Sequence, residues 1–153
     1  MSIAGTRCFL RMGDDPTENA KTVLDFVIMQ LQQKTAHSNQ IFQSFGAGTM
    51  YTTRPWALVF VYNSQYLSNA INNDISRLEN RQWLESIQVC QVENIHQIRA
   101  ILCALHIQQQ STYNSSQSDI LSWIQNERDN QPPCLIVVKD LLQWMKDSNR
   151  DTL

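Results

Sequence analysis

The sequence predicts a single α/β domain with a mostly parallel sheet of about four or five strands and helices on both faces. Apolar runs of strand length, rich in Val, Ile, Phe and Tyr, occur at residues 7–12, 56–62, 87–92 and 134–138. Between these runs, apolar residues recur at the spacing of an amphipathic helix. Strands that alternate with helices favour right-handed crossovers, which place successive strands parallel in one sheet.

The first strand and the first helix are predicted close together near the N-terminus. Residues 7–12 (RCFLRM) form the weakest of the predicted strands, which ends at Gly13. A helix is predicted over residues 19–33, with Thr17 and Glu18 at its start, because apolar residues there repeat at helical spacing. The apolar stripe consists of Val23, Leu24, Val27, Ile28 and Leu31.

The later elements continue this alternation within one domain of residues 1–153. The runs WALVFVY and CLIVV do not alternate and are predicted to be strands buried on both faces. Helices are predicted over residues 66–83 and 95–107, with a short one at residues 120–124. Residues 37–54, which carry two Gly and no clear period, are predicted to form a loop. The polar residues 108–119 are expected to form a mobile loop.

Composition narrows the classes of function. Hydrophobic residues make up 42% and charged residues 17% of the chain, which supports one compact domain with few surface charges. The formal net charge is -2 and Lys and Arg do not cluster, so strong DNA binding by this chain alone is not expected. The four Cys are scattered, which indicates reduced thiols and no metal site. No signal peptide or membrane span is expected.

One candidate site lies at the start of the first helix. A phosphate-binding loop has the form G-x-x-x-x-G-K-[ST], whose glycines let backbone N–H groups wrap the phosphates. Lys21 and Thr22 match the end of this motif. Asp15 and Ala20 replace both glycines, and acidic side chains lie where phosphates would bind. Three interpretations stay open: an acidic helix start with an incidental Lys-Thr pair, a degenerate phosphate site, or an intact one.

Further candidate positions follow two predicted strands, because parallel sheets bind ligands beyond the carboxyl ends of their strands. Gln65 follows the second strand, where many NTPases carry an acid that orients the attacking water. A simple polar turn is the alternative there. Lys139 follows the last strand, at the position of a magnesium-organising acid, and a cation opposes magnesium binding. Asp140 could take the place of the magnesium-organising acid only if the register of the last strand moved by one residue. Such a shift turns the Asp140 side chain to the opposite face of the sheet.

This order of features resembles the ATPase core of the RecA-like recombinase family. It is most similar to the small, divergent eukaryotic paralogues that act as recombination mediators, including the short members of Shu-type complexes. The segments SIQVCQVENIHQIRAILCAL and PPCLIVVKDLLQWM carry the resemblance, which extends over residues 7–145. The resemblance implies a truncated RecA-like core without the later half of the family's sheet and its DNA-facing loops, so filament formation is not expected.

The resemblance also assigns roles to the candidate residues. It maps the phosphate-contacting Lys to Lys21, the magnesium-binding hydroxyl to Thr22, the catalytic acid to Gln65 and the Walker B acid to Lys139. The last two positions have lost the chemistry that the family needs. No cofactor of its own is therefore expected, and ATP with Mg²⁺ would enter only through a partner or through the degenerate site.

The resulting hypothesis is a non-catalytic recombinase paralogue in the nucleus. It would form a heterodimer with a larger RecA-like paralogue and promote homologous recombination by remodelling or stabilising recombinase filaments on single-stranded DNA. Contact with DNA would come mainly through the partner. A truncated sheet leaves an open edge and apolar surface for such a partner, and tryptophans are favoured interface anchors. The candidates are Trp56, Trp83, Trp123 and Trp144.

Three alternatives remain at the level of sequence. One is a catalytically dead nuclease-like α/β domain of a meiotic or repair heterodimer. Another is a residual ATPase that uses Lys21, Thr22 and Asp140. The third is an α/β interaction domain that is unrelated to DNA.

Overall fold

The computed structural model describes residues 12–45, 54–74, 81–108, 128 and 131–150. Helices and strands alternate in this part of the chain, as the sequence predicts. In chain order the elements are α1 (Pro16–Phe45), β1 (Ala57–Val61), α2 (Gln65–Asp74), α3 (Arg81–Leu84), β2 (Ile87–Gln91), α4 (Ile95–Gln108), β3 (Leu135–Val138) and α5 (Leu141–Arg150).

The sheet is small, open and parallel, with the strand order β2-β1-β3. Ala57 at the start of β1 lies opposite Ile87 of β2 and Leu135 of β3. The described residues therefore contain three strands, fewer than the predicted number. The predicted strand at residues 7–12 lies outside the described residues except for Met12, which belongs to no strand.

The central strand β1 explains why both faces of the sheet carry helices. Every residue of β1 is buried, so its side chains alternate between two apolar layers. Ala57, Val59 and Val61 point into one layer. Leu58 and Phe60 point into the other. Each such fully buried side chain larger than Ala stabilises the fold by about 1.5–3 kcal/mol.

The α1 face of the sheet carries α1, α2 and α3, which pack together. The stripe predicted from the sequence is buried there, and Leu67 and Ala70 of α2 join it. Leu135 and Val137 of β3 pack against the same cluster. The α4 face carries α4 and α5, which contribute Ile98 and Trp144. The prediction of an α/β fold with helices on both faces is confirmed.

Helix α1 begins earlier and ends later than predicted. The Asp15 carboxylate accepts a hydrogen bond from the Thr17 N–H at 3.0 Å, and Pro16 occupies the first helical position, where its missing N–H costs nothing. Asp15, rather than Thr17 and Glu18, thus starts the helix. The predicted loop at residues 37–54 was wrong for residues 37–45, which continue α1. No Gly or Pro occurs before Gly46 to stop the helix.

The other predicted boundaries have mixed outcomes. Strands β1, β2 and β3 and helix α4 match their predictions within about two residues. The predicted helix at residues 66–83 is described as α2 and α3, with residues 75–80 outside the description. Residues 46–53, the predicted loop after Gln108 and the predicted helix at residues 120–124 also lie outside the described residues.

The first turn of α1 lies at the carboxyl edge of the sheet. Lys34 is close enough to Cys134, just before β3, for its ammonium to lower the pKa of that thiol, so this part of α1 is near the amino edge. From Lys34 back to Ala20 the helix rises about 21 Å, enough to cross a five-residue strand of about 17 Å. Helix α1 therefore runs antiparallel to the strands.

Candidate functional site

The carboxyl edge of the sheet is the place where this topology can form a ligand site. The chain leaves β1 toward β2 on one side and later returns to β3 on the other side. In open α/β sheets, such a reversal of direction leaves a crevice between the loops that follow the two adjacent strands, here β1 and β3. The loop after β1 leads into Gln65, the first residue of α2, and the turn after β3 carries Lys139 and Asp140.

The loop after β1 is fixed by hydrogen bonds in which Gln65 contributes only its backbone. The Gln65 N–H donates to Asn63 Oδ1 at 2.9 Å, which closes the turn into α2. Ser64 donates from its Oγ and its N–H to Gln91 Oε1, at 2.7 and 3.2 Å. Gln91 thereby ties the end of β2 to the loop after β1. The Gln65 side chain itself is exposed.

The loop after β3 contains a buried cation. The Lys139 side chain is only 6% exposed, and its Nζ lies 2.6 Å from Asp140 Oδ2. The Lys139 N–H donates to the Phe60 carbonyl at 3.0 Å, which holds the residue against the end of β1. Asp140 has a φ of 60°, a left-handed conformation that Asp tolerates better than most residues. This turn leads directly into α5.

The electrostatics of this turn oppose a divalent metal ion. The Lys139 ammonium already neutralises the Asp140 carboxylate, and a magnesium ion would have to displace it. Burial of a Lys ammonium costs desolvation free energy, and its counter-ion offsets most of that cost. Removing the counter-ion therefore destabilises the buried charge. The Asp140 side chain is 45% exposed while Lys139 is buried, so the two side chains point to different environments. The chemistry available here is an internal ion pair.

The Lys-Thr pair does not end a phosphate-wrapping loop in this structure. Residues 16–20, which would form that loop, are the first turns of α1, and the Asn19 N–H donates to the Asp15 carbonyl at 3.0 Å. Ala20 is fully buried in the core, so its methyl group packs against the sheet. Thr22 Oγ1 donates back to the Glu18 carbonyl at 2.9 Å. Lys21 and Thr22 are both exposed.

The structure brings two of the predicted site residues into direct contact and leaves two others exposed on a helix. Lys139 and Asp140 are in contact with each other. Gln65 shares the carboxyl edge with them through its position after β1. Lys21 and Thr22 lie on the exposed side of the helix that starts at this edge.

Two of the four candidate tryptophans are core residues. Trp56 is 0% exposed, and its indole N–H donates to the Gln131 carbonyl at 2.9 Å. Trp144 is 1% exposed and lies edge-on to Tyr62, with ring centroids 6.4 Å apart. Both indoles therefore stabilise the fold and leave no surface for a partner. Trp83 is partly buried against the α1-face cluster, and Trp123 lies outside the described residues.

The sequence predicted exposed apolar surface for a partner but did not identify the residues of β3 and α5 that provide it. Three large side chains of β3 and α5 remain in contact with solvent: Ile136 (43% exposed), Leu142 (72%) and Met145 (50%). Leu142 and Met145 are three residues apart on one side of α5, while Trp144 faces the core. The sequence indicated this surface, because the apolar residues of LLQWM are too many to lie on the single buried side of a helix.

Comparisons of the chain with protein-family models, with curated proteins and with solved structures find no match. The geometry of the described residues therefore carries the functional argument. No group of three or more His, Cys, Asp and Glu side chains in the described ranges is arranged to hold a metal ion. None of the helices in the described part of the chain is both long and apolar enough to cross a membrane.

Proposed function

We propose that this chain is a non-catalytic, RecA-like recombinase paralogue of the nucleus that forms a heterodimer with a larger paralogue. In that complex it promotes homologous recombination by remodelling or stabilising recombinase filaments on single-stranded DNA. The observation that carries the non-catalytic part is the buried Lys139 ammonium, paired with Asp140 where a magnesium-binding acid would lie. The parallel sheet and the strand-helix order support the recombinase-like part.

The other candidate residues also lack the groups that catalysis would need. Gln65 contributes a neutral, exposed side chain that cannot act as a base. The helical first turns of α1 replace the phosphate-binding loop, and their exposed acids Asp14, Asp15 and Glu18 repel phosphate. A function through binding needs none of these groups to be catalytic.

Exposed apolar side chains of β3 and α5 support binding of a protein partner. Leu142 and Met145 on α5 and Ile136 on β3 expose apolar area that a protein of low charge gains by covering. Large apolar side chains of this kind form the desolvated centre of stable heterodimer interfaces. We therefore assign the partner-binding surface to this side of β3 and α5.

The experiment is co-purification of the chain with its partner from cells that express tagged wild-type and variant chains. We expect a larger RecA-like paralogue and a recombinase among the recovered proteins. The double substitution Leu142→Glu/Met145→Glu should reduce recovery of the paralogue at least about tenfold, because it buries two charges in an apolar interface. Met29→Glu is the matched control, since Met29 is comparably exposed (43%) but lies on α1.

Two results would contradict this proposal. One is recovery of no paralogue or recombinase with the wild-type chain. The other is a repair or nuclease-type partner without any recombinase, which would favour the nuclease-like alternative. Equal loss of recovery in the control variant would move the interface away from α5.

A further inference from the structure

The exposed apolar pair of α5 lies between two opposite charges. Leu142 and Met145 are 72% and 50% exposed and lie about one turn apart on the same side of the helix. The Asp140 carboxylate, which is 45% exposed, lies at the start of α5. Lys146 directly follows Met145 and is exposed. An anion, an apolar pair and a cation therefore follow one another along a single helix.

Ile136 extends the exposed apolar surface from α5 onto the sheet. It lies opposite Leu58 of β1 in the register of the two strands, and Leu58 belongs to the cluster on the α4 face. Residues that lie opposite each other in parallel strands point to the same face of the sheet. Ile136 is therefore on the face that also carries α5, and it remains 43% exposed there.

This arrangement of charges and apolar residues is complementary to a second copy of itself. A twofold axis between Leu142 and Met145 sets two α5 helices antiparallel, so that Leu142 of one copy lies opposite Met145 of the other. Lys146 then lies opposite residue 141 of the second copy, and its level along the helix axis differs from that of Asp140 by about 1.5 Å. Twofold symmetry repeats this pairing of opposite charges at the other end of the contact.

The charges near α5 permit such a contact. Lys139 binds Asp140 through Oδ2, which leaves Oδ1 as an acceptor for a second cation. Asp147, the next acid on α5, is partly buried and accepts a hydrogen bond from Gln143 within the helix. The formal net charge of the chain is only -2, so repulsion between two copies is weak.

We propose that two copies of this chain associate through α5 as an antiparallel, twofold-symmetric homodimer. Ile136, Leu142 and Met145 form the apolar centre of the contact, and Lys146 pairs with Asp140 of the other copy at both ends. The proposed function assigns the same side of β3 and α5 to the paralogue, so a chain in the homodimer cannot bind the paralogue there. The homodimer itself does not depend on the proposed function, because it needs no other protein.

Sedimentation equilibrium of the purified full chain over a range of concentrations measures this association. A reducing buffer keeps the exposed Cys103 from linking chains. We expect the mass to rise from that of one chain to that of two as the concentration increases. Leu142→Glu/Met145→Glu should raise the dissociation constant at least about tenfold, because it places carboxylates in the apolar centre. Met29→Glu, at a comparably exposed position on α1, is the control and should leave the constant unchanged.

A second substitution tests the pairing of charges separately. Lys146→Glu places like charges opposite each other at both ends of the contact, so the dissociation constant should again rise at least about tenfold. Lys21→Glu changes the net charge equally at an exposed position on α1 and should have no such effect. Because salt screens exposed charges, a higher salt concentration should narrow the difference between Lys146→Glu and wild type.

A wild-type chain that stays monomeric at millimolar concentration would overturn the proposal. A dimer that the α5 substitutions leave unchanged would overturn it as well. Urea unfolding of each variant separates loss of the contact from loss of the fold, and Lys146→Glu should unfold like wild type because Lys146 is exposed. Recovery of the paralogue from cells is a different measurement, so the homodimer and the proposed function can fail independently.

Discussion

At the residue scale, the turn after β3 joins a buried ammonium to a half-exposed carboxylate. Lys139 is 6% and Asp140 45% exposed, so the two partners differ in what desolvation costs them. A buried ion pair contributes little to stability compared with an apolar replacement, but removing one partner leaves an uncompensated charge. The cost of each substitution therefore depends on which partner remains.

Substitutions of the two partners should consequently have opposite effects on stability. Asp140→Asn keeps a residue that tolerates the positive φ but leaves Lys139 buried without a counter-ion, so we expect a loss of about 2 kcal/mol. Lys139→Met removes the buried charge and leaves a carboxylate that water can reach, so stability should be unchanged or higher. Urea unfolding measures both. Equal destabilisation by the two substitutions would contradict this account.

The cysteines give a second prediction at this scale. Burial raises the pKa of Cys134, and the Lys34 ammonium acts in the opposite direction. Lys34→Ala should therefore raise the pKa further and slow alkylation of Cys134 at pH 8, because less thiolate is present. The exposed Cys103 in the same chain is the control, and its rate should not change. Faster alkylation of Cys134 in the variant would contradict the expected sign.

The same burial makes stability depend on pH in the alkaline range. Burial raises the pKa of both Cys90 and Cys134, so the folded state holds these protons more tightly than the unfolded state. This contribution is complete below the ordinary thiol pKa and is lost as pH rises through the raised folded-state pKa. We expect the free energy of unfolding to fall across that window. Cys90→Ala/Cys134→Ala should flatten this part of the pH profile.

At the scale of elements, α1 shows how a helix start can imitate a nucleotide motif. The Asp15 carboxylate, Pro16 and the acidic Glu18 are typical of a helix N-terminus. Lys21 and Thr22 then follow within the helix. The helix-start interpretation explains these residues without a phosphate ligand.

The cap can be tested by substitution. Asp15→Ala should destabilise the protein by about 1 kcal/mol, because it leaves the Thr17 N–H without its acceptor. Asp14→Ala is the matched control: it removes an exposed neighbouring carboxylate and should change stability by less than about 0.5 kcal/mol. Thermal and urea unfolding give the comparison. Similar effects of the two substitutions would mean that Asp15 acts through charge alone.

Helices and strands could be predicted from the sequence where the pattern of neighbouring apolar and polar residues determines their type. The predictions of β1, β2, β3 and α4 were confirmed, because β-branched runs and helical spacing are local properties. The end of α1 was missed because residues 37–45 are polar and lack a clear period, although nothing in them stops a helix. Hydrophobic periodicity identifies the buried side of a helix, but it does not predict the residue at which a polar helix ends.

At the scale of the whole molecule, the positions of the candidate residues argue against nucleotide binding. Lys139 is paired with Asp140, and Lys21 lies on an exposed helix surface. Millimolar ATP with Mg²⁺ should therefore leave the melting temperature of the purified chain unchanged, since a ligand stabilises only in proportion to its binding. Lys21→Ala should behave like wild type. A shift that Lys21→Ala abolishes would favour the residual ATPase.

The sequence by itself determined the kinds of the described elements, their order and the position of Lys139 directly after an apolar strand, because these depend on neighbouring residues. Tertiary structure decided the strand order, the burial and pairing of Lys139 and the core position of Trp56. Those features depend on contacts between distant parts of the chain, such as Trp56 with Gln131. Local patterns do not specify which distant surfaces meet, so packing of the whole sheet is needed to assign them.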